Sequence, residues 1–547
     1  MPRLERRWSG PLSPIGRGGC ALAWRLSSDP SVQVALLESG PADKSAFIHM
    51  PRGLGVILNP GSKLIWEYDV STGGNGPRER WYRGKTLGGS SSVNGMIYMR
   101  GAPLDYDGWA ADGCTGWGWD EVGKLFVEFE DHDQGAGEWR GVGGPQRITT
   151  HPAGDPLFDA ILDAGVELGI PRVADVNALD AVRDGGLGYQ PTTRNGGKRA
   201  SAAVSFLKAS EGRKNLHVIC ETRALRIEFE DGKDGRPHAS AVRVRDTSGD
   251  SSIRARREII VSSGSMESPL LLQRSGIGDG KMLQTFGIPT IAHSPDVGRN
   301  LRDHRHADLR LQVRSNSQNA ALSGWRAPLS ALQYFITGKG PMSHAAHEVG
   351  GFAKSNPSLD HADLQFGLMS LSTMTATDGN IALAPYPGIT FITYFTRPTS
   401  QGEIRISSAD ADAAPVVDIN HLSTELDRER FIGAFRWNRR LAAQPALRDW
   451  IVREVGETVG LETDDDILSH AMAIGGTCFH TSGTARMGAD EASVVDPALR
   501  VRGVTGLRVA DTSIMPTMVS GNTNGPAMMI GLKAGDLINA DWTPGHG

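Results

Sequence analysis

The sequence predicts a mixed α/β (α+β) fold in two domains, one of them built round a strand–helix–strand unit. Three observations predict it. A glycine-bearing turn, an apolar helix and a buried strand follow one another in "PIGRGGCALAWRLSSDPSVQVALLE". From about 311 to 475 the texture changes to long helical runs ("PLSALQYFIT", "ELDRERFIGAFRWNRRLAAQPALRDW") and alternating strands ("ITFITYFTRP", "GEIRISS"). The chain then returns to Gly-rich turns, a short buried strand "LRVAD" and an apolar helix "PAMMIGLKAGDLI". At 547 residues it exceeds one ordinary domain, and two domains can each bury a full core.

In order along the chain, "CALAWRLSS" has helical apolar spacing and stops at "DPS". "VQVALLE" reads as a strand buried on both faces. Glu38 ends it, 22 residues after Gly16, close to the spacing of about 20 expected for a carboxylate on an adenosine ribose. A turn of this kind sets a pyrophosphate against helix N–H groups and the positive end of the dipole; a plain strand–helix turn is the competing reading. Upstream the pattern is defective. Residues 1–13 offer only Leu4, Trp8 and Leu12 among Arg, Pro and Ser, and Pro14 holds the first glycine position. Proline fixes φ and has no N–H to donate. Gly16 and Gly19 remain for the phosphates, and the central strand is expected to be compromised. "NLHVICETRALRIEFE" and "ASAVRVRDTSG" are β-rich with a "DGKDGRP" turn between them, and "REIIVSSGSMESPLLLQRSGIG" reads as strand, small-residue turn and helix.

Composition removes some functions. A net charge of −5 argues against a nucleic-acid partner, which needs a basic face. No run is long enough for a transmembrane segment. "MPRLERRWSGPLSP" has cations but no apolar core after them, unlike a secretory signal. Cys20, Cys114, Cys220 and Cys478 are too scattered for a disulfide framework or a metal set, so a cytoplasmic setting is expected.

Two later stretches carry chemistry. In "RGKTLGGSSSVNGMIYMRG", Gly88 and Gly89 let backbone approach a flat ring, and Ser90, Ser91, Ser92 and Asn94 supply donors; a structural Gly/Ser loop is the alternative. "GTCFHTSGTARMG" sets His480 among small residues, and 42 residues on, "SGNTNGP" presents Asn522 and Asn524 either side of one residue. A neutral imidazole can take a proton near neutral pH, and an amide can hold a hydroxyl. His304 with His306 ("DHRHAD") and His344 with His347 ("SHAAHEVGG") stand in pairs. The second pair shows no nearby acidic or Cys ligand set, so no metal is expected and a loop near a substrate entrance is the better reading. Met369 and Met374 read as core or pocket wall.

From about Arg17 to Leu537 these motifs resemble the glucose–methanol–choline (GMC) flavoprotein oxidoreductases. The resemblance rests on "GCALAWRLSSDPSVQVALLESGP", "RGKTLGGSSSVNGMIYMRG", "SSGSMESPLLLQRSGIG" with "DVGRNLRDH", and "HTSGTARMG" with "LRVADTSIMPTMVSGNTNGPAMMIG", in that order. The look is that of choline dehydrogenase-like and hydroxymethylfurfural oxidase-like members. It implies a discontinuous Rossmann-like FAD-binding domain (1–155, 196–310 and 476–547) and a substrate domain with an antiparallel sheet and helices (156–195 and 311–475). It implies that Glu38 binds the adenosine ribose and that Trp66 lies by the cofactor. Gly89, Ser90, Asn94 and Gly95 would line flavin and phosphates, with Ala224 near the adenine, Asp511 by the pyrophosphate and Asn524 at the flavin pyrimidine edge. His480 matches the family's catalytic histidine and Asn522 its partner position. Val93 stands where some members carry a flavin-linking histidine, so the FAD is expected to be noncovalent. The implied reaction takes a primary alcohol to an aldehyde by hydride transfer to flavin N5, with His480 as base and O₂ or a quinone- or dye-like acceptor for reoxidation. Phe479 is expected to shape the pocket, and the absence of a dense acidic or aromatic cluster disfavours choline. A hydroxynitrile lyase on the same scaffold and a cofactor-poor remnant are the alternatives.

Overall fold

The computed structural model describes residues 6–7, 12–14, 17–73, 76–375 and 381–542. Leu4, Trp8 and Gly16 lie outside the described residues. Five short strands form a parallel sheet in the order Leu216–Ile219, Val34–Leu37, Leu12–Pro14, Ile259–Val261 and Leu507–Val509. Val34–Leu37, Ile259–Val261 and Leu507–Val509 are buried throughout, as strands covered on both faces must be. The central strand is present but short. Leu12–Pro14 pairs three residues with Val34–Leu37 and a single residue, Leu12, with Ile259. A three-residue strand ending in a proline has few N–H groups to share. Its place is set by the two buried strands beside it more than by its own apolar content.

The helix Arg17–Leu26 leaves this strand and lies against the last helix, Asn524–Trp542. Glycine makes the approach possible. A Cβ on Gly18 would stand 2.9 Å from the Ala527 carbonyl oxygen and 3.0 Å from that of Ala510, and one on Gly531 would run into the Gly18 carbonyl. The two helices therefore meet backbone to backbone.

A second sheet is antiparallel, in the order Ile451–Glu454, Arg305–Val313, Gly388–Phe395, Leu364–Met369, Val349–Ala353 and Gly186–Tyr189; Gly476–Thr477 adds to one end of Arg305–Val313. Strand Arg305–Val313 alternates strictly, with Ala307, Leu309, Leu311 and Val313 buried. The helix Glu425–Ala442 packs Phe431, Phe435, Trp437 and Leu441 into the same core. A smaller four-stranded sheet holds Ile65–Ser71 beside Arg78–Gly84 and carries Trp66 and Arg83 toward the space between the two large sheets.

Candidate functional site

Two cavities meet there, one with about 900 Å³ of empty space and one with about 1110 Å³; Arg83 and Ser90 line both. The first runs from the end of the parallel sheet. Its wall includes Glu38, Trp66, Gly89, Ala224, Gly264 and Asp511. Glu38 Oε1 accepts from the Gly40 N–H at 2.7 Å, and burial pushes its carboxyl up to about 8. A buried carboxyl with one oxygen so engaged suits hydroxyl groups better than a cation. Trp66 lies under two cations, Lys85 Nζ at 4.1 Å and the Arg223 guanidinium at 5.0 Å from its ring centre. Asp511 is occupied by the protein: Oδ2 accepts from Gly264 N (2.9 Å) and Ser268 Oγ (2.6 Å), and Oδ1 from Ser513 N (2.8 Å). It thereby holds the start of helix Gly264–Arg274 at the cavity edge, where exposed N–H groups and the helix dipole favour anions.

The second cavity is lined mainly by Leu54, Leu58, Ile97, Ile392, Phe479 and other apolar groups, with His480, Asn522, Asn94 and Asn524 among the polar ones and Gly95 offering only backbone. Strand pairing places His480. Arg305 and His306 pair with Thr477 and Gly476, and Arg302 bridges to Ser482, so the loop between is held along residues 302–306. Phe479 takes a left-handed φ of 58° to make the bend. Asp303, fully buried, accepts from the His480 backbone N–H at 2.6 Å and from the Thr477 hydroxyl; burial pushes its carboxyl up to about 6. Asn522 sits just before the last helix, after Gly521 at φ 103°, where a Cβ would crowd Gln365.

Hydrogen-bond directions around His480 are fixed by one carbonyl. His304 Nε2 lies 2.8 Å from the Thr396 carbonyl oxygen, which can only accept, so Nε2 carries the proton. Burial pushes the pKa of His304 down to about 4, and the ring is neutral, leaving Nδ1 as an acceptor. His304 Nδ1 is 2.9 Å from His480 Nδ1, which must therefore donate. In neutral His480 the lone pair is then on Nε2, where it accepts from the Asn522 amide N–H at 2.9 Å. Asn522 Oδ1 accepts from Gln365 Nε2 (2.9 Å), and Gln365 Oε1 accepts from the Tyr394 hydroxyl (2.6 Å). The chain of donors presents a basic nitrogen and an N–H donor side by side on the cavity wall.

Of the residues singled out in the sequence, Glu38, Trp66, Gly89, Ser90, Ala224 and Asp511 line the first cavity, and Ser90, Asn94, Gly95, His480, Asn522 and Asn524 the second. Gly19 lines neither cavity. It is buried inside helix Arg17–Leu26, and the residue whose missing Cβ matters there is Gly18. Asp303, His304, Gln365 and Tyr394 were given no role by sequence reasoning, because their contacts join segments far apart in the chain. The expectation that His344 lacks an acidic neighbour also fails. Glu348 Oε1 is 3.6 Å from His344 Nδ1, and His151, His344 and Glu348 offer ligand atoms within 4.8 Å of one another. Glu348 is already engaged, accepting from Arg52 (2.9 Å) and the Ser370 hydroxyl (2.6 Å). His347 instead lines the second cavity. Met369 is half-buried on its strand and Met374 is 40% exposed, so neither is a cavity wall.

The residues fit FAD. Asn524 Oδ1 is buried without a hydrogen-bond partner among the described residues, as an acceptor awaiting a ring N–H would be. Gly264, at φ 85°, has nothing within 4 Å of where a Cβ would stand, which leaves room for a ligand against its backbone. A parallel lobe opening onto a long polar cavity, continued by an apolar one with an imidazole on its wall, is the layout of a dinucleotide-binding redox enzyme. Comparison with known proteins narrows the class. Models of the GMC oxidoreductase N- and C-terminal regions match residues 17–306 and 398–531. An alcohol dehydrogenase (acceptor) of Pseudomonas putida is 35% identical over 96% of this chain and 94% of its own length. The mitochondrial choline dehydrogenase of Homo sapiens is 36% identical over 96% and 88%. The crystal structure of pyridoxine 4-oxidase from Mesorbium loti superposes with a TM-score of 0.86 at 28% identity, covering 97% of this chain and 99% of that one. The chain belongs to the GMC oxidoreductase family, whose cofactor is FAD.

Proposed function

We propose that this enzyme oxidises a primary alcohol with an apolar body to the aldehyde, with His480 as the base that takes the hydroxyl proton. The observation that carries the reading is the directed hydrogen-bond chain from the Thr396 carbonyl through His304 to His480, which leaves the lone pair on Nε2. Similarity to an alcohol dehydrogenase over nearly the whole chain supports the reaction class. Glu38, Trp66 and the Gly89–Ser90 turn would hold the nucleotide end of FAD, and Asn94, Gly95 and Asn524 the ring end. Bound FAD supplies the two-electron oxidising capacity that no side chain has. The chain's own residues do the rest. His480 Nε2 accepts the hydroxyl proton. The Asn522 amide, its carbonyl tied to Gln365, keeps N–H toward the same spot and steadies the developing alkoxide. The apolar wall of the second cavity excludes water and holds the carbon chain.

Among the described residues, the lining of that cavity contains no Asp or Glu. This supports an uncharged alcohol over a quaternary ammonium one, although several relatives are choline dehydrogenases. Val93, packed with Ile48, Ile57 and Ile65, offers no nucleophilic atom and supports noncovalent FAD. The acceptor is O₂ or a quinone-like molecule. Anaerobic mixing of the FAD-loaded enzyme with a panel of aliphatic and aromatic primary alcohols tests the reading. Bleaching of the flavin band with aldehyde release is expected; a flavin that stays yellow with every alcohol overturns it. Repeating turnover with O₂ and then a quinone dye identifies the acceptor.

A further inference from the structure

The helix Arg326–Thr337 is turned the wrong way for a helix of a water-surrounded protein. Its buried residues, Ser330 and Tyr334, make polar contacts: Ser330 Oγ donates to the Ala321 carbonyl (2.7 Å) and the Tyr334 hydroxyl to that of His49 (3.3 Å). Its outer stripe is apolar. Trp325 is 72% exposed and Ile336 73%, with Leu329, Leu332 and Phe335 all above half. Positions 325, 329, 332 and 336 follow one face of a helix. An outward stripe of this size marks an interaction surface.

The charges round it are one-sided. In a chain of net charge −5, no Asp or Glu occurs between Asp308 and Glu348, nor between Asp43 and Glu67, nor between Asp184 and Glu211. These three segments are neighbours in space. The Tyr334 bond ties the helix to His49, and a Cβ on Gly197 would run into the Gly338 carbonyl, so the Arg194–Arg199 hairpin rests on the helix end. Arg326, Lys339 and Lys198 are exposed there, as are Phe47 and Val56 on the adjoining segments.

We infer that this face lies in the interface of an anionic lipid bilayer, with the Trp325–Ile336 stripe immersed and the cations at the headgroups. An apolar face with tryptophan at its edge and Lys or Arg on its flanks has the makeup of an interfacial helix. A second copy fits less well, because a twofold contact would set the same cations against each other, and one three-turn helix is small against the roughly 800 Å² per partner of a stable interface. No described helix is long and apolar enough to cross a membrane, so the contact is peripheral. The face adjoins the second cavity: the chain runs from the helix to Ala346 and His347, and from Phe47 to Leu54 and Leu58, all four on the cavity wall. An apolar alcohol or a lipid-soluble acceptor held in the bilayer would thus lie beside the entrance.

Flotation of the FAD-loaded full chain with phosphatidylcholine vesicles, with and without about a quarter phosphatidylglycerol, tests this independently of the catalytic reading. The wild type is expected to float with the anionic vesicles, less with the neutral ones, and to be released by salt. Leu332→Asp with Phe335→Asp should reduce the bound fraction about ten-fold or more while melting temperature and turnover of a water-soluble alcohol stay unchanged. Arg326→Glu with Lys339→Glu should remove the preference for anionic vesicles. A wild type that floats with neither vesicle, or an aspartate pair that floats as well as the wild type, overturns the inference. So does a wild-type dimer that the aspartate pair converts to monomer in sedimentation, which would give the face to a second copy.

Discussion

Two histidine clusters, His304–His480 and His151–His344, are built from the same parts and end differently. In the first, direction starts at a carbonyl, passes through two imidazoles and ends on a nitrogen at a cavity wall. In the second, His151 Nε2 and His344 Nδ1 lie 3.4 Å apart beside Glu348, whose carboxylate is closed off by Arg52 and Ser370. None of His151, His344 or Glu348 lines the second cavity. A histidine's chemistry is set by where its hydrogen-bond chain terminates: one cluster ends in an imidazole–amide pair on a cavity wall, and the other is consumed internally.

The sharpest way to break this contrast is to remove one ring from each. His480→Ala should lower kcat by about 10²–10⁴ while FAD stays bound, as loss of a general base does. His344→Ala should leave kcat within about two-fold, since that ring meets no reacting atom. Comparable losses in steady-state assays of the two would erase the distinction. The closed cluster should instead matter for stability. Glu348→Ala leaves the Arg52 guanidinium buried without its partner, and a cost of about 3–5 kcal/mol in denaturant unfolding is expected. An unfolding midpoint close to that of the wild type would show that Arg52 finds other partners.

Acid should act on both clusters alike. Burial pushes His304 and His151, and also His347 on the cavity wall, down to about 4 from 6.5. As pH falls the unfolded chain takes up protons first, so the stability these groups contribute is full above about 6.5 and is lost on the way to 4. Each is worth up to about 3 kcal/mol by that shift. Melting temperature should fall across this window, and His304→Phe should shallow the fall. A flat profile between those limits would mean the rings are charged in the native state, and the tautomer assignment at His480 would go with it.

The motif-bearing turns were legible because their chemistry is local. A Gly/Ser turn, a carboxylate at a strand end and an Asn pair before a helix can each be read within twenty residues, and nearly all of them reach a cavity wall. Long-range partners were not legible. His304 stands 176 residues from His480 and meets it only because Gly476–Thr477 pairs with Arg305–His306. Gln365 reaches Asn522 across 157 residues through the register of the antiparallel sheet. The strand Leu12–Pro14 was legible only as a weak one for a related reason: its place comes from neighbours, and its own three residues carry too little pattern. Spacing marks Gly16 and Gly19 but does not show that the last helix comes up against Gly18.

The contact of Gly18 with Gly531 has a consequence for biosynthesis. The first described helix rests on the last described one, and the edge strand Leu507–Val509 is also a late segment of the chain. The antiparallel sheet is complete once Thr477 has appeared, so that half can fold while the nucleotide lobe still waits for its closing pieces. The flavin-binding lobe is therefore expected to close only after helix Asn524–Trp542 has been made.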